Sequence, residues 1–164
     1  MNKARPKNPK HPPNLALPPG YRLVKASLRD LAALQRLEKL CFPKDAWPLP
    51  DLLGVLLWPD VVRYKITLED QMVGFAAGQP IDGAGWIVTL AVHPDHRRRG
   101  LGRALLTACE DGLPHAVLRL AVRASNRSAQ ALYRAAGYEV VDRWPRYYVD
   151  REDALIMEKV RTIK

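Results

Sequence analysis

At 164 residues the chain is the size of one domain with a core of its own. No apolar run nears the roughly 18 residues of a membrane-spanning helix, and the basic N-terminus lacks the apolar stretch of a secretory signal. The formal net charge of +9 is unevenly spread. Residues 1–20, MNKARPKNPKHPPNLALPPG, hold Lys3, Arg5, Lys7 and Lys10, six prolines and no acid. Such a segment cannot bury enough apolar surface to offset its ordering entropy. It is expected to be a flexible tail, either merely solubilising or in weak contact with RNA, a ribosome or another polyanion. The folded domain is expected over residues 21–164.

In chain order, YRLVKA starts the domain as a short strand. Ser27 is expected to cap a helix whose Leu31, Leu34, Leu37 and Cys41 share a face. Pro43 and Pro48 bracket a break, and PLPDLLGVLLW reads as a second short helix ended by Pro59. VVRYKITLE and QMVGFAAGQ flank Glu69-Asp70 and read as a hairpin. GWIVTLAVH is a nearly continuous apolar strand, as in a sheet interior. A helix follows with Leu101, Ala104, Leu105, Ala108 and Cys109 on one face, then the strand AVLRLAV. Ser125 or Asn126 caps a helix with Ala129, Leu132, Tyr133 and Ala136 on one face, stopped by Gly137. YEVVDRWPRYYV and EDALIMEKV close the chain as strands. The order predicts an α/β fold, a mixed sheet of about six to seven strands with helices on both faces. Cys41 and Cys109 fall in apolar helical patterns and read as small buried hydrophobes of a reducing compartment, the cytoplasm first, not as a disulfide.

The stretch HPDHRRRGLGRALL, residues 93–106, joins a buried strand to a helix. The first N–H groups of a helix have no intrahelical partner and sit at the positive dipole end. Glycines let an anion approach them, and arginines fork onto phosphate oxygens. The stretch reads as a pyrophosphate cradle or as an ordinary basic turn. A P-loop's spacing is absent, and a dinucleotide fingerprint would need glycine where Leu105 stands. His93 and His96 read as turn residues, and no metal site is expected there.

LAVHPDHRRRGLGRALL resembles the acetyl-CoA motif of GNAT acetyltransferases, [QR]-x-x-G-x-[GA], in Arg97-Arg98-Arg99-Gly100-Leu101-Gly102. RASNRSAQALYRAAGYEVV resembles the family's next element, with Asn126, Tyr133 and GYE. RWPRYYVDREDALIMEK and EKLCFPKDAWPLPDLL are similar to the branch that acetylates ribosomal-protein N-terminal alanine. The resemblance covers roughly residues 21–160. It implies an acetyl-CoA-dependent N-acetyltransferase acting by direct attack in a ternary complex, on a protein N-terminal α-amine or else a small-molecule amine. It implies a splayed sheet, with the backbone of Leu90 and Val92 holding the pantetheine arm and the Val92 N–H supporting the oxyanion. It further implies that the N–H groups from Arg98 to Arg103 hold the pyrophosphate and that Asn126 positions the cofactor.

Tyr133 matches the family's general acid: a phenol can donate a hydrogen bond or a proton to the departing thiolate. Periodicity alone makes it a core aromatic instead. The branch's usual glutamate base is missing, because Ala121 occupies its position on the strand face shared with Arg119 and Arg123. Either Glu38 or a held water takes its place, or an α-amine needs no strong base, since roughly one in ten is neutral at pH 7. Tyr147 and Tyr148 either wall the acceptor's first residue or are half-buried strand aromatics. A non-catalytic acyl-CoA-binding or RNA-associated module is the competing function class.

Overall fold

The chain's fold is described by a computed structural model over residues 16–163; residues 1–15, most of the expected tail, lie outside the described residues. Strand β1 (Tyr21–Lys25) leads through a 3-10 turn, Leu28–Asp30, into α1 (Leu31–Cys41) and then α2 (Leu49–Leu57). Strands β2 (Val62–Leu68), β3 (Gln71–Ile81) and β4 (Ala84–Val92) follow, then α3 (Leu101–Gly112), β5 (Val117–Arg123), α4 (Arg127–Ala135), β6 (Glu139–Trp144) and β7 (Ala154–Val160). The helix expected directly after Ser27 is thus delayed by one 3-10 turn, pinned by Asp30 Oδ2, which accepts from the Ser27 N–H at 2.8 Å.

The seven strands form one sheet in the order β1-β2-β3-β4-β5-β7-β6. Every neighbour is antiparallel except β4 and β5. The β2–β3 hairpin turns at Glu69 and Asp70, both at positive φ (48° and 63°), the twist a two-residue hairpin favours. One face buries Leu101, Leu105, Cys109, Leu118, Leu120 and Tyr138 under α3 and α4. The other buries Leu34, Leu37, Leu52, Leu56, Phe75 and Ala91 under α1 and α2. Leu17, ahead of Tyr21, packs partly buried against the first core. No helix among the described residues is long and apolar enough to cross a membrane.

Two departures from the sequence expectations lie at the C-terminal end. The strand expected through YYV stops at Trp144, because Pro145 has no N–H to give a ladder and Arg146 and Arg151 take positive φ. Tyr147 and Tyr148 therefore sit on the β6–β7 loop and not in a strand. Cys109 is fully buried, but Cys41 is only half-buried, and its thiol donates to the Val92 carbonyl at 3.4 Å.

Candidate active site

Strands β4 and β5 pair only at Gly85–Leu118, Trp86–Arg119 and Ile87–Leu120. Beyond Ile87 both strands continue without partnering each other. The gap between them opens into a cleft of about 680 Å³, lined by β4, the turn after it, α3, β5 and α4. On its other edge β4 remains paired with β3, and the His93 N–H donates to the Val73 carbonyl at 2.8 Å. Antiparallel alternation then turns the backbone groups of Leu90 and the Val92 N–H away from β3, into the gap, while the Val92 carbonyl accepts from Arg97 Nε at 3.0 Å and from the Cys41 thiol. An extended ligand laid there completes the broken ladder.

At one end of the cleft the chain turns through Arg98 (φ +63°) and Gly100 (φ +79°) into α3. The helix's first bond runs from the Ala104 N–H to the Gly100 carbonyl, 3.1 Å. The N–H groups of Leu101, Gly102 and Arg103 precede it and have no intrahelical acceptor. Arg97, Arg98 and Arg103 line the same space. The two glycines differ. A Cβ on Gly100 would meet nothing within 4 Å, so its requirement is the left-handed backbone; a Cβ on Gly102 would stand 3.2 Å from Leu132, with Leu90 and Val92 at 3.8 Å. This donor set, in a basic cradle where a side chain at Gly102 would press on Leu132, fits a pyrophosphate and the arm that continues from it.

Midway along, Tyr133 lines the cleft from α4 while remaining 8% exposed. Burial, with a smaller contribution from Tyr148, pushes its phenol up to about 12. Asn126 lines the cleft as well, but its side-chain oxygen caps α4 by accepting from the Ala129 N–H at 3.1 Å. Gly137 ends that helix at φ +97°, with the Tyr138 N–H returning to the Tyr133 carbonyl at 3.0 Å. Cap and stop together fix where Tyr133 stands.

At the opposite end, Phe42, Asp45 and Trp47 from the α1–α2 loop face Ala121, Arg123 and Tyr148. Arg123 organises this end. Its Nε and Nη2 donate to Asp45, its Nη1 to Asp150 at 3.0 Å and to Glu152 at 2.8 Å, and its guanidinium stacks 4.2 Å over the Tyr148 ring. Lys44 reaches Asp150 directly at 3.4 Å. One arginine on β5 thereby ties together the two loops that flank the cleft's end. This cluster was invisible in the sequence, because Asp45 and Arg123 stand 78 positions apart.

Asp150 is held below the ordinary carboxylate range first by the Glu152 backbone N–H, Glu152 first by Ser125, and both further by Arg123. A depressed carboxylate adds stability above its unfolded pKa and loses it as pH falls through its folded one. The clasp is therefore expected to be intact at pH 7 and to weaken only as pH falls below the ordinary carboxylate range. Replacing Arg123 by Gln is expected to cost about 2 kcal/mol at pH 7, or roughly 4–8 °C in Tm. Calorimetry from pH 7 downward checks this, since the difference between variant and wild type should shrink as the carboxylates take up protons.

Leu90, Val92, Arg97, Arg98, Gly100, Leu101, Gly102, Arg103, Asn126, Tyr133 and Tyr148 all line this one cleft. Three other expected site residues do not. Glu38 is 1% exposed behind β4, accepting from Thr89 Oγ1 at 3.0 Å, and burial raises its pKa. Arg99 turns away to donate to the Tyr21 hydroxyl at 2.8 Å. Tyr147 is 52% exposed, its ring edge-on to Tyr148 at 5.0 Å.

Residues 31–138 match the acetyltransferase (GNAT) family. The catalytic subunit NAA10 of the N-terminal acetyltransferase A complex of Arabidopsis thaliana is 31% identical over 144 residues, 82% of this chain and 75% of that protein. The ribosomal protein bS18-alanine N-acetyltransferase of Escherichia coli K12 is 39% identical over 102 residues, 58% and 69% of the two chains. The crystal structure of the E. coli ribosomal-protein-S18-alanine N-acetyltransferase superposes with a TM-score of 0.79 at 31% identity, covering 88% of this chain and 96% of that one. Arabidopsis thaliana NAA60 in complex with acetyl-CoA shares the fold at a TM-score of 0.76 and 20% identity, covering 85% and 98%. A sheet split after β4, a glycine turn opening α3 and a family match over most of the domain lead to one conclusion: the chain belongs to the GNAT acetyltransferase family.

Proposed function

We propose that this enzyme moves the acetyl group of acetyl-CoA to the α-amine of a protein N-terminus, working in the cytoplasm. The observation that carries the reading is the β4–β5 gap, with a pyrophosphate cradle at one end and the Arg123-clasped loops at the other. Acetyl-CoA supplies an acyl group activated as a thioester. The chain's residues do the rest. Leu90 and Val92 hold the arm by backbone, and the N–H groups from Arg98 to Arg103 hold the pyrophosphate beside Arg97. The Val92 N–H donates where negative charge develops on the acyl oxygen. Tyr133 donates its O–H to the departing sulfur. Tyr148 walls the acceptor, and Tyr147 supports Tyr148 from outside.

Among the described residues no unpaired carboxylate lines the cleft to take the place of the missing glutamate at Ala121. Glu38 is enclosed behind β4, and Asp45 is bound by Arg123. An α-amine, with a reference pKa of about 7.7–8.0, loses its proton to water often enough to react; a lysine amine near 10.4 does not. The basic segment of residues 1–15 adds weak contact with RNA or the ribosome that carries such N-termini.

Mass spectrometry after incubation with acetyl-CoA and a panel of peptides and small amines tests this reading. Acetylation of peptide α-amines, with internal lysines and small amines left unmodified, is the expected result; preferential acetylation of small amines would overturn the acceptor class. Ala121→Glu belongs in the same panel. Arg119 is already paired to Glu158 at 2.8 Å and Arg123 to three carboxylates, so neither is free to sequester the new one. The variant is expected to gain activity on lysine-like amines relative to α-amines.

A further inference from the structure

We propose that His96 is a phosphate-binding residue, a neutral imidazole held by Tyr21 and Arg99 so that its Nε2–H donates to the pyrophosphate of coenzyme A. The inference rests on the acetyl-CoA reading above and extends it to a side chain outside the glycine motif.

The argument begins with proton accounting. Arg99 Nη1 lies 2.8 Å from the Tyr21 hydroxyl, and His96 Nδ1 lies 2.9 Å from the same oxygen. A guanidinium only donates, so the tyrosine oxygen accepts from Arg99. Among the described residues the hydroxyl has no other acceptor within hydrogen-bond distance, so its proton is assigned to His96 Nδ1. A neutral imidazole that accepts at Nδ1 carries its hydrogen on Nε2. The relay from Arg99 through Tyr21 to His96 runs in one direction and leaves the Nε2–H without an acceptor among the described residues.

Packing fixes where that donor goes. Tyr21 is buried at the head of β1 and stands edge-on to the His96 ring, centroids 5.8 Å apart. The His93 ring stands edge-on to it at 5.3 Å, and His93 is itself fixed by accepting from the Asp95 N–H at 3.1 Å. His96 closes the 3-10 turn Pro94–His96 and lines the cleft beside Arg97, Arg98 and Gly100. With Nδ1 taken by Tyr21, Nε2 is the ring nitrogen left for a ligand in the cleft that His96 lines. Arg97, Arg98 and Arg103 supply charge there; His96 adds a directional neutral donor without further like-charge repulsion. Arg99 thus acts on the phosphate indirectly, as a positioning residue.

Nitrogen-15 NMR of the ligand-free protein is the first test: His96 is expected in the Nε2–H tautomer, and Tyr21→Phe is expected to abolish that preference. Calorimetry with coenzyme A is the second. His96→Phe is expected to weaken binding about tenfold or more, as for loss of a hydrogen bond to a charged group. His96→Gln, which places an amide N–H near the Nε2 position, is expected to recover most of the loss. The same ratios with 3′-dephospho-coenzyme A assign the contact to the pyrophosphate; a loss that disappears with that ligand moves it to the 3′-phosphate and overturns the assignment. Equal affinity of folded His96→Phe and wild type, or an Nδ1–H tautomer in wild type, overturns the proposal while the acetyltransferase reading stands. Wild-type protein that binds no coenzyme A overturns the acetyltransferase reading itself.

Discussion

Removing only the hydroxyl of Tyr133, in Tyr133→Phe, is expected to lower kcat by about 10²–10³, the reach of one positioned donor to developing charge. The fold should persist, because the ring stays in place on the buried stripe of α4. Coenzyme A affinity should change little, since the interaction is made mainly in the transition state. Burial sharpens the assignment. A phenol pushed up to about 12 is a far weaker acid than a thiol of pKa about 8.5. Outright proton transfer to the thiolate is uphill, so in the proposed mechanism Tyr133 acts by hydrogen bonding, and the proton would reach sulfur from the ammonium formed on attack or from water. Because the hydroxyl keeps its proton at every pH below about 12, the wild-type rate should rise with pH as the acceptor amine deprotonates and show no falling limb from Tyr133 in the physiological range. Steady-state kinetics from pH 6 to 10, with a peptide acceptor, measure both. A wild-type rate in Tyr133→Phe would remove the tyrosine from the chemistry.

Gly102→Glu is expected to abolish coenzyme A binding, by about 10³-fold or more, in a protein that still folds. The new Cβ would stand 3.2 Å from Leu132, a contact the leucine relieves by shifting a few tenths of an ångström. The rest of the side chain would occupy the cradle and set a carboxylate against the pyrophosphate. An acid in the first turn of a helix is favourable to its dipole, so α3 itself should not suffer. Gly100 is the informative contrast. Its Cβ would meet open space, and its constraint is φ +79°. Gly100→Ala is expected to cost about 1 kcal/mol of strain with only a modest loss of affinity. Calorimetric titration of the two variants, with thermal melts alongside, separates an obstructed cradle from a strained turn. Unchanged affinity in folded Gly102→Glu would overturn the cradle.

Much of this molecule is legible one residue at a time. Helix α3 and its core face follow from apolar spacing at 101, 104, 105, 108 and 109, and α4 from Asn126, its apolar stripe and Gly137, because caps and periodicity are local physics. The basic, glycine-opened start of α3 is equally local, since its donors come from seven consecutive residues. Alternation along β5 correctly placed Ala121, Arg119 and Arg123 opposite Leu118, Leu120 and Val122. What the sequence could not decide is whatever depends on two distant segments meeting. Nothing local says that β7 inserts between β5 and β6, or that β4 and β5 part after three pairs. Arg99 and Arg97 read alike in a run of three arginines; only the fold sends one to the Tyr21 hydroxyl, 78 positions away, and leaves the other in the cleft. Glu38 lies on the same helix pattern as its neighbours, yet closure of α1 against β4 enclosed it behind the strand. Local sequence fixes backbone propensity and the chemistry each segment offers. Which offered groups face the cleft is set by tertiary packing, where burial and charge pairing select one partner among several of equal local merit.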